Sequence, residues 1–254
     1  MAERVGRGNE KGLRRGMMRA VVFTDRELDL EGLGIGEVYL IFAKGVKGGI
    51  TVSEISESVG LAQSKMPLLR RAEEIIEKLE KNYDVLGMSV VFKDYEDEIE
   101  SVLEAYKPDI LVAGRYMPIT RKMLEHECAM LFHRERFGLE RVLYVHCPGG
   151  NLERARNWIK IGKEITVLGI VEPMLPPETY AKKMKEYQEM IQKEIEHISK
   201  DLAVKKIVTV GGVVEEVKKF AAKLDPSVLI LSRNIGVEKV REILEKTEKS
   251  VLVV

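Results

Sequence analysis

The sequence predicts an α/β protein made of two doubly wound parallel sheets in tandem. The first observation is an internal repeat, since residues 226–233 (PSVLILSR) nearly copy residues 108–115 (PDILVAGR), which stand 118 positions earlier. The second is that an amphipathic helical run precedes each copy at the same offset, at 95–107 and 213–225. Short apolar runs without alternation, bounded by Pro and a polar turn, are typical of parallel strands covered on both faces. A helix followed by a buried strand therefore occurs twice.

Composition narrows the class of protein. The chain has 254 residues, which the repeat divides into two units of ordinary domain size. Lys and Arg total 41, as do Asp and Glu, so no overall positive charge favours nucleic acid or an anionic membrane. Two cysteines cannot form a disulfide framework, and no apolar run approaches the length of a membrane span. We expect a cytoplasmic protein with a disordered leader at 1–16, a first unit at 17–138 and a second unit at 139–254.

The first unit is expected to contain strands at 19–24, 37–43, 85–92 and 110–113 and helices at 64–81, 95–107 and 118–137. Ser64 is the expected cap of the first of these helices, and Pro118 opens the last. The segment between Asp25 and Gly36 is short and rich in glycine, so its connecting helix is expected to be short or lost. We also expect this unit to lack its last strand.

The second unit is expected to be complete. Its strands are predicted at 141–146, 165–171, 206–210, 228–231 and 250–254, and its helices at 151–163, 177–202, 213–225 and 237–246. Residues 141–146 are assigned to this unit because the following helix and strand complete a βαβ unit only if a strand precedes them. The two units are expected to keep separate sheets and to pack as a pseudo-two-fold pair within the chain, with a homodimer as the alternative. The apolar strand 250–254 is the expected pairing element.

Four short segments of the second unit resemble the universal stress protein family. They are residues 141–146 (RVLYVH), 153–155 (ERA), 165–173 (ITVLGIVEP) and 249–254 (KSVLVV). The first unit looks like a diverged copy of the second. The resemblance implies five parallel strands flanked by helices, in the flavodoxin-like or adenine-nucleotide-hydrolase-like layout, and domains that pair or occur in tandem. It also implies ATP or AMP as the candidate ligand, since some family members bind ATP at the carboxyl ends of the strands.

The family's nucleotide signature is an Asp closing the first strand and, after the fourth strand, Gly-x-x-Gly, nine residues, Gly, then Ser or Thr. Glycines at those positions let backbone amides approach a phosphate. In the first unit Asp25 and Gly114 match the signature, whereas Met117 replaces the second Gly. The first unit therefore keeps only part of the motif.

The second unit departs further from the signature. His146 or Cys147 stands in place of the Asp, Ser232 in place of the first Gly and Ile235 in place of the second. Because neither unit keeps the whole motif, nucleotide binding is expected to be weak or absent.

The turn at 147–151 (CPGGN) is a further candidate site. It follows a central strand and precedes a helix, where free amides favour anions, so Cys147, Gly149, Gly150 and Asn151 are candidate nucleotide contacts. The alternative is an ordinary turn with an Asn cap. In the resembled family the residue at Val171 meets an adenine through its backbone.

Two arginines, Arg115 and Arg233, each follow the repeated strand and either meet a phosphate or remain solvated turn residues. Both units are expected to present their strand carboxyl ends at one rim of the molecule. The complete set of candidate contacts at those ends is Asp25, Gly114, Arg115, Cys147, Gly149, Gly150, Asn151, Val171, Ser232 and Arg233.

Residues 51–71 resemble a helix-turn-helix and suggest a DNA-binding regulator as an alternative function. Lys65, Arg70 and Arg71 are the side chains that would contact phosphates. Against this, Pro67 stands near the start of the helix that would read the bases, and the balanced charge is unlike a DNA-binding face. Nucleic acid is therefore not the expected partner.

The remaining candidate chemistry is sparse. His126, Cys128 and His133 are expected on one helical stretch, but a metal site would need a third ligand near the two histidines. No Ser-His-Asp order or paired-acid motif supports an enzyme, although an enzyme using the 147–151 turn is an alternative. We expect a non-catalytic regulatory or interaction protein that binds a protein partner or a second copy of itself.

Overall fold

A computed structural model describes residues 17–43, 60–91, 95–134, 137–147, 152–172, 177–198 and 203–254. Its first half contains β1 (Met18–Thr24), β2 (Ile35–Ala43), α1 (Gly60–Leu79), β3 (Asp84–Val91), α2 (Tyr95–Tyr106), β4 (Ile110–Ala113), α3 (Arg121–Glu125) and β5 (Ala129–Phe132). Its second half contains β6 (Arg141–His146), α4 (Leu152–Ile159), β7 (Glu164–Val171), α5 (Pro177–Ile198), β8 (Val204–Val210), α6 (Val213–Leu224), β9 (Val228–Leu231), a 3₁₀ turn (Arg233–Ile235), α7 (Val237–Lys246) and β10 (Ser250–Val253).

The α/β fold class predicted from the repeat is confirmed. Both copies of the repeat form a helix followed by a fully buried strand, α2 with β4 and α6 with β9. The expected loss of a helix between β1 and β2 is also confirmed, because that connection is a loop in which Gly32 and Gly34 adopt positive φ values of 81° and 69°. Left-handed backbone is easily adopted only by glycine, so these residues turn the chain without a helix.

The expectation of two separate sheets is wrong. The strands form one ten-stranded sheet in the order β3-β2-β1-β4-β5-β10-β9-β6-β7-β8. The two halves of this order mirror each other, so each half has a doubly wound five-strand arrangement of its own. Strand β6 pairs with β7 and β9, which confirms its assignment to the second half.

The join between the halves is the antiparallel pair of β5 and β10, in which Leu131 stands opposite Leu252. Ala129 is the first residue of β5 that pairs with β4, and Ser250 is the first residue of β10 that pairs with β9. Leu131 and Leu252 each lie two residues further along, so they are equivalent positions on a pseudo-two-fold axis. The C-terminal strand is thus the pairing element, as expected. Because this pair is antiparallel and the other pairs are parallel, the strand carboxyl ends of the two halves lie at opposite edges of the sheet. The expectation of one shared rim is therefore wrong.

The predicted helix at 118–137 and the predicted absence of a last strand in the first unit are both wrong. The helix α3 begins after Thr120, whose Oγ1 accepts the Met123 N–H at 3.2 Å, and it ends at Glu125. The four apolar residues of β5 then pair with β4 on one side and with β10 on the other. Two strand partners that are distant in sequence outweigh a local helical pattern.

Two smaller predictions concern the helix α1. It begins at Gly60, so Ser64 lies inside it and the predicted cap is wrong. Arg70 and Arg71 are exposed on this helix and Pro67 lies within it. Residues 51–59 of the segment that resembles a helix-turn-helix lie outside the described residues.

The core consists of two layers, one on each face of the sheet. Helices α2, α3, α6 and α7 cover one face, and α1, α4 and α5 cover the other. Alternate residues of each strand enter opposite layers, as in β6, where Leu143 faces the first layer and Tyr144 the second. Within the part of the chain that the structure describes, no helix is long and apolar enough to cross a membrane.

Replacing Leu131 by Ala tests the importance of the join. Leu131 is fully buried at the pseudo-two-fold axis, so Leu131→Ala should lower the free energy of unfolding by about 2 to 5 kcal/mol. Urea denaturation of the full chain measures this. The control is Leu86→Ala on the edge strand β3, where the side chain is 38% exposed and the expected loss is below about 1 kcal/mol. Equal losses in the two variants would contradict the assigned role of the β5–β10 pair.

Candidate functional site

The charged side chains at the carboxyl edge of the first half contact one another and Tyr116. The Asp25 carboxylate accepts hydrogen bonds from the Arg26 guanidinium at 2.9 and 3.3 Å. The Arg26 guanidinium in turn lies 4.5 Å from the centre of the Tyr116 ring, and Arg115 lies 5.6 Å from the same ring. The negative charge at the position of the family's Asp is therefore already matched by the next residue in the chain.

A packing contact explains the glycine at position 114 without any ligand. Its N–H donates to the Phe23 carbonyl at 2.8 Å, which brings the two backbones together. A Cβ at this position would stand 2.9 Å from Thr24 Oγ1, closer than real side chains approach. Gly114 is thus required by the neighbouring strand, whether or not a phosphate binds.

The turn after β4 and the turn after β9 have the same form. Met117 N–H donates to the Gly114 carbonyl at 3.0 Å, and Ile235 N–H donates to the Ser232 carbonyl at 3.1 Å. Met117 and Ile235 are 5% and 6% exposed and pack into the same core layer. In both halves the position of the family's second glycine therefore holds a buried apolar side chain.

At the opposite edge, the strand register identifies the counterpart of Asp25. Phe23 in β1 pairs with Ala113, and Val145 in β6 pairs with Leu231. Counting two residues forward from each strand position makes Cys147, rather than His146, the equivalent of Asp25. The sequence left these two alternatives open.

Cys147 is held among polar neighbours from three elements. Its carbonyl accepts the Asn234 Nδ2–H at 3.0 Å, and Glu172, which follows Val171 at the end of β7, binds Lys239 Nζ at 2.6 and 2.7 Å. Burial raises the pKa of the Cys147 thiol to about 11, with Glu172 acting in the same direction. The thiol therefore stays protonated at neutral pH and is a poor nucleophile. Gly149, Gly150 and Asn151 lie outside the described residues.

Arg233 reaches across the join into the first half. Its guanidinium donates to the carbonyls of Leu124 (3.0 Å), His126 and Cys128, at the end of α3 and the start of β5. Cationic side chains stabilise helix C-termini because they satisfy the last carbonyls and face the negative end of the helix dipole. Burial lowers the pKa of the Arg233 guanidinium because it disfavours the charged form. The carbonyls offset this cost by accepting hydrogen bonds from the buried charge.

Arg134 makes the reciprocal contact from the first half. It lies two residues after β5, and its guanidinium donates to the Leu244 carbonyl in α7 at 2.8 Å and to the Arg115 carbonyl at 3.0 Å. Its backbone N–H donates to Ser250 Oγ at 3.0 Å. Each half thus supplies an arginine that binds the C-terminal part of the helix preceding the last strand of the other half.

A buried histidine lies beneath the carboxyl edge of the second half. His146 is fully buried, with Nε2 against the Glu194 carboxylate of α5 and Nδ1 at 3.3 Å from the Tyr144 hydroxyl. His146 faces the layer of α4 and α5, whereas the neighbouring Cys147 packs against the opposite layer. The two side chains therefore do not form a thiol–imidazole pair.

The three residues that suggested a metal site do not share a helix face. His126 follows α3, Cys128 precedes β5, and the His126 Nδ1 lies 3.1 Å from the Cys128 thiol. His133 lies beyond β5, where its Nε2–H donates to the Asp29 carbonyl at 3.1 Å. Among the residues that the structure describes, no group of three or more His, Cys, Asp or Glu side chains is arranged to hold a metal ion.

The chain is similar to known proteins in sequence and in fold. No protein-family model matches the chain. An uncharacterized protein from Archaeoglobus fulgidus is 30% identical over 249 residues, covering 98% of this chain and 99% of that protein, so the two belong to one family. Among solved structures, a universal stress protein from Archaeoglobus fulgidus aligns over 93% of this chain and 95% of its own with a TM-score of 0.61 and 13% identity.

The chain has the universal stress protein fold. A functionally unknown protein from Pseudomonas aeruginosa is also similar, with a TM-score of 0.53 and 17% identity over 94% of this chain and 92% of that one. Both alignments span nearly the whole chain. The resemblance expected from residues 141–254 is thus confirmed for the fold and extends to the first half.

Within the universal stress protein fold, the structure divides the predicted contacts into two groups. Asp25, Gly114 and Arg115 lie at one sheet edge, whereas Cys147, Val171, Ser232 and Arg233 lie at the other. Sequence reasoning missed Asn234, Glu172 and Lys239, although a charged residue directly after a buried strand, as at 172, was a usable signal. It also missed Arg134 and Glu194, whose partners are too distant in sequence to produce a local pattern.

Removing the Arg233 side chain should weaken the join. Arg233→Ala leaves three backbone carbonyls without their cationic donor and should lower the free energy of unfolding by about 1.5 to 3 kcal/mol. Chemical denaturation measures the loss. The control is Arg241→Ala, whose half-exposed side chain makes a 3.4 Å ion pair with Glu245 one turn along α7 and should cost less than about 0.5 kcal/mol. A loss no larger than that of the control would contradict the assigned role.

Stability should fall as the pH drops below neutral because of buried imidazoles. Burial lowers the pKa of His133, so from about pH 6.5 down to that lowered pKa the unfolded chain binds a proton that the folded chain does not. His133→Gln keeps an N–H donor for the Asp29 carbonyl without titrating, and it should flatten the loss between about pH 7 and pH 5. Denaturation at several pH values measures the slope. His197→Gln, which removes an exposed imidazole, is the control, and a flattening seen only there would refute the prediction.

Proposed function

We propose that this chain is a non-catalytic regulatory or interaction protein of the universal stress protein type, with weak or absent binding of ATP and AMP. We place this role in the cytoplasm, where the free thiols Cys128 and Cys147 remain reduced. Its partner is a protein or a second copy of the chain.

The observation that carries the proposal is the filled turn after the fourth strand of each half. A phosphate-binding turn leaves backbone amides open to the ligand, which is why glycine is favoured there. Here Met117 and Ile235 occupy the second glycine position and are buried in the core. Exposing the turn to a phosphate would require each side chain to leave an apolar layer, at a cost of about 1.5 to 3 kcal/mol.

The charges at the two edges support the same proposal. Asp25 is matched by Arg26, and the Arg233 guanidinium is bound to carbonyls of the other half. A ligand ribose or phosphate would have to replace these contacts rather than add to them. The side chains that a nucleotide would use therefore already contribute to the stability of the fold.

The enzyme alternative receives less support than the regulatory one. Nucleophilic catalysis by a thiol needs a lowered pKa or an adjacent base. Burial raises the pKa of Cys147 to about 11, and His146 lies on the opposite face of the sheet. Turnover of ATP clearly above a control without protein would overturn the non-catalytic reading.

The DNA-binding alternative depends on a segment of which the structure describes only the helical part. The exposed Arg70 and Arg71 are the described side chains that would contact phosphates. A salt-dependent shift of duplex DNA would support that alternative, since phosphate contacts release counterions.

Calorimetric titration with ATP and with AMP tests nucleotide binding directly. We expect no saturable heat at about 5 mM nucleotide and no rise in thermal stability. A dissociation constant of about 0.05 mM would instead stabilise the protein by about 2.7 kcal/mol at that concentration, which a thermal scan detects readily. If binding of that strength is found, Asp25→Ala and Arg233→Ala identify the edge responsible, and the proposal of a lost nucleotide site fails.

A further inference from the structure

The two edges of the ten-stranded sheet differ in charge. Strand β8 forms one edge and carries the exposed Lys205 and Lys206. Strand β3 forms the other edge, and its residues 85–91 (VLGMSVV) include no charged residue and no proline. Lysine and proline on an edge strand hinder pairing of another strand with its free backbone N–H and C=O groups. Strand β8 is therefore protected against such pairing, whereas β3 is not.

The part of β3 that can pair with another strand is five residues long. Among the strands that the structure describes, β3 pairs with β2 alone. A register shift leaves Leu86 as an extra residue in this pair, and residues 87–91 then continue without a further shift. The join of β5 and β10 has only three residue pairs. An antiparallel pairing through 87–91 would therefore be longer than the join that already holds the two halves together.

Apolar side chains lie partly exposed beside this edge. Met66 of α1 is 54% exposed and Leu86 of β3 is 38% exposed, and they are two of the six large apolar side chains that are exposed in the described part of the chain. Leu69 of α1 and Met88 of β3 are half-buried. Apolar side chains that lie together on a surface mark interaction sites. A partner at β3 would thus cover apolar side chains as well as backbone groups.

The helix α1 lies over β2 and β3 and turns one flank away from the rest of the sheet. Lys78 identifies the inner flank, because its Nζ binds Glu27 in the connection between β1 and β2 at 2.5 Å. Leu69 precedes Lys78 by about two and a half helical turns, so it lies on the opposite, outer flank. Met66 stands three residues before Leu69 and is its neighbour on the helix surface. The outer flank of α1 is therefore partly apolar.

The charges of α1 are divided between its two halves. Residues 60–72 contain three bases and no acid, whereas residues 73–79 contain three acids and one base. Two copies of this helix that lie antiparallel place the basic half of each beside the acidic half of the other. A parallel arrangement would place like charges together, which is unfavourable. The helix is therefore complementary to a second copy of itself in the antiparallel orientation.

We propose that a second copy of this chain pairs with the first through β3, so that the two ten-stranded sheets become one across a two-fold axis. The two β3 strands run antiparallel, and α1 of each copy packs against α1 of the other. Neighbouring strands are about 4.8 Å apart, so a helix that lies over β2 and β3 is about 10 Å from its copy, a usual distance between packed helices. A two-fold contact of this kind is closed and stops at the dimer.

This inference rests on the proposed function, because it identifies the partner of the interaction protein as a second copy and assigns the surface that binds it. The two proposals fail separately. A chain that stays monomeric overturns the β3 dimer and leaves a regulatory role with another protein partner. Turnover or tight binding of ATP overturns the regulatory role and leaves the dimer.

Analytical ultracentrifugation of the full chain between about 1 and 200 μM tests for the dimer. We expect twice the mass of the chain at the upper concentrations, with a dissociation constant of about 10 μM or below. A single species with the mass of one chain over the whole range would overturn the proposal.

A lysine at the outer flank of α1 should weaken the dimer. Met66→Lys places a charge among the apolar side chains of the interface twice in each dimer, so the dissociation constant should rise at least tenfold. The matched control is Met190→Lys, which makes the same change at a 36% exposed position on α5 in the other half and should leave the dissociation constant within twofold. Both positions are exposed, so both variants are expected to fold.

Two adjacent acids of α1 test the orientation of the helix pair. Glu73 stands four residues after Leu69 on the outer flank, and Glu74 stands four residues before Lys78 on the inner flank. Both are exposed. Glu73→Lys sets a base against the basic half of the partner helix and should raise the dissociation constant about fivefold or more. Glu74→Lys makes the same change of charge on the other flank and should alter it less than twofold.

Hydrogen exchange locates the paired edge. Full chain at about ten times its dissociation constant should exchange the outward-facing amides of residues 87–91 about fivefold more slowly than at one-tenth of it, by mass action. The amides of β8 provide the control in the same sample, because that edge is not paired in the proposed dimer. Mass spectrometry of peptides from β3 and β8 reads both rates.

Two further results would overturn the proposal. One is a dimer in which exchange at 87–91 does not depend on concentration, since the copies would then meet through another surface. The other is a dimer whose dissociation constant is unchanged in both Met66→Lys and Glu73→Lys.

Discussion

The antiparallel pairing of β5 with β10 is the constraint on which the rest of the structure depends. It joins two five-strand halves into one sheet through only three residue pairs, centred on Leu131 and Leu252. Within each half the strands are parallel, but the join between the halves is antiparallel, so their strand carboxyl ends lie at opposite edges of the sheet. The two candidate ligand edges therefore cannot contact the same ligand. The join also brings the turn after β9 and the segment after β5 beside helices of the opposite half. Arg233 and Arg134 are therefore able to bind backbone carbonyls across the join.

This arrangement gives the turn after the fourth strand a structural role. A guanidinium bound to carbonyls of α3 cannot bind a phosphate without leaving those carbonyls unsatisfied, which costs about 1 to 3 kcal/mol for each buried group. The buried Met117 and Ile235 act in the same direction, because they fill the positions where glycine would leave space. Even Gly114, the residue most typical of a phosphate site, is explained by its approach to Thr24. These features together support the proposal that nucleotide binding is weak or absent.

The join also brings residues of both halves together around one cavity. Neither half alone would enclose the 940 Å³ cavity, since its walls come from strands of one half and from α4 of the other. The carboxylates there are matched by arginines, since Arg154 donates to the Glu127 carbonyl and Arg121 forms an ion pair with Glu125. Arg233 donates to the neighbouring His126 carbonyl.

The sequence by itself determined the repeat, the α/β class, most helices and strands and the lost helix after β1, because these follow from apolar periodicity and glycine placement within short windows. Its resemblance to the universal stress protein family was sufficient to predict the fold. Only the tertiary structure decided that 129–132 is a strand, that the two sheets are one and that the ligand edges are opposite. The physical reason is that β5 owes its conformation to β4 and β10, and Arg233 its role to carbonyls more than one hundred residues away. Such partners leave no trace in local composition. A buried strand can therefore be predicted as a helix, and an arginine with a structural role can be predicted as a phosphate contact.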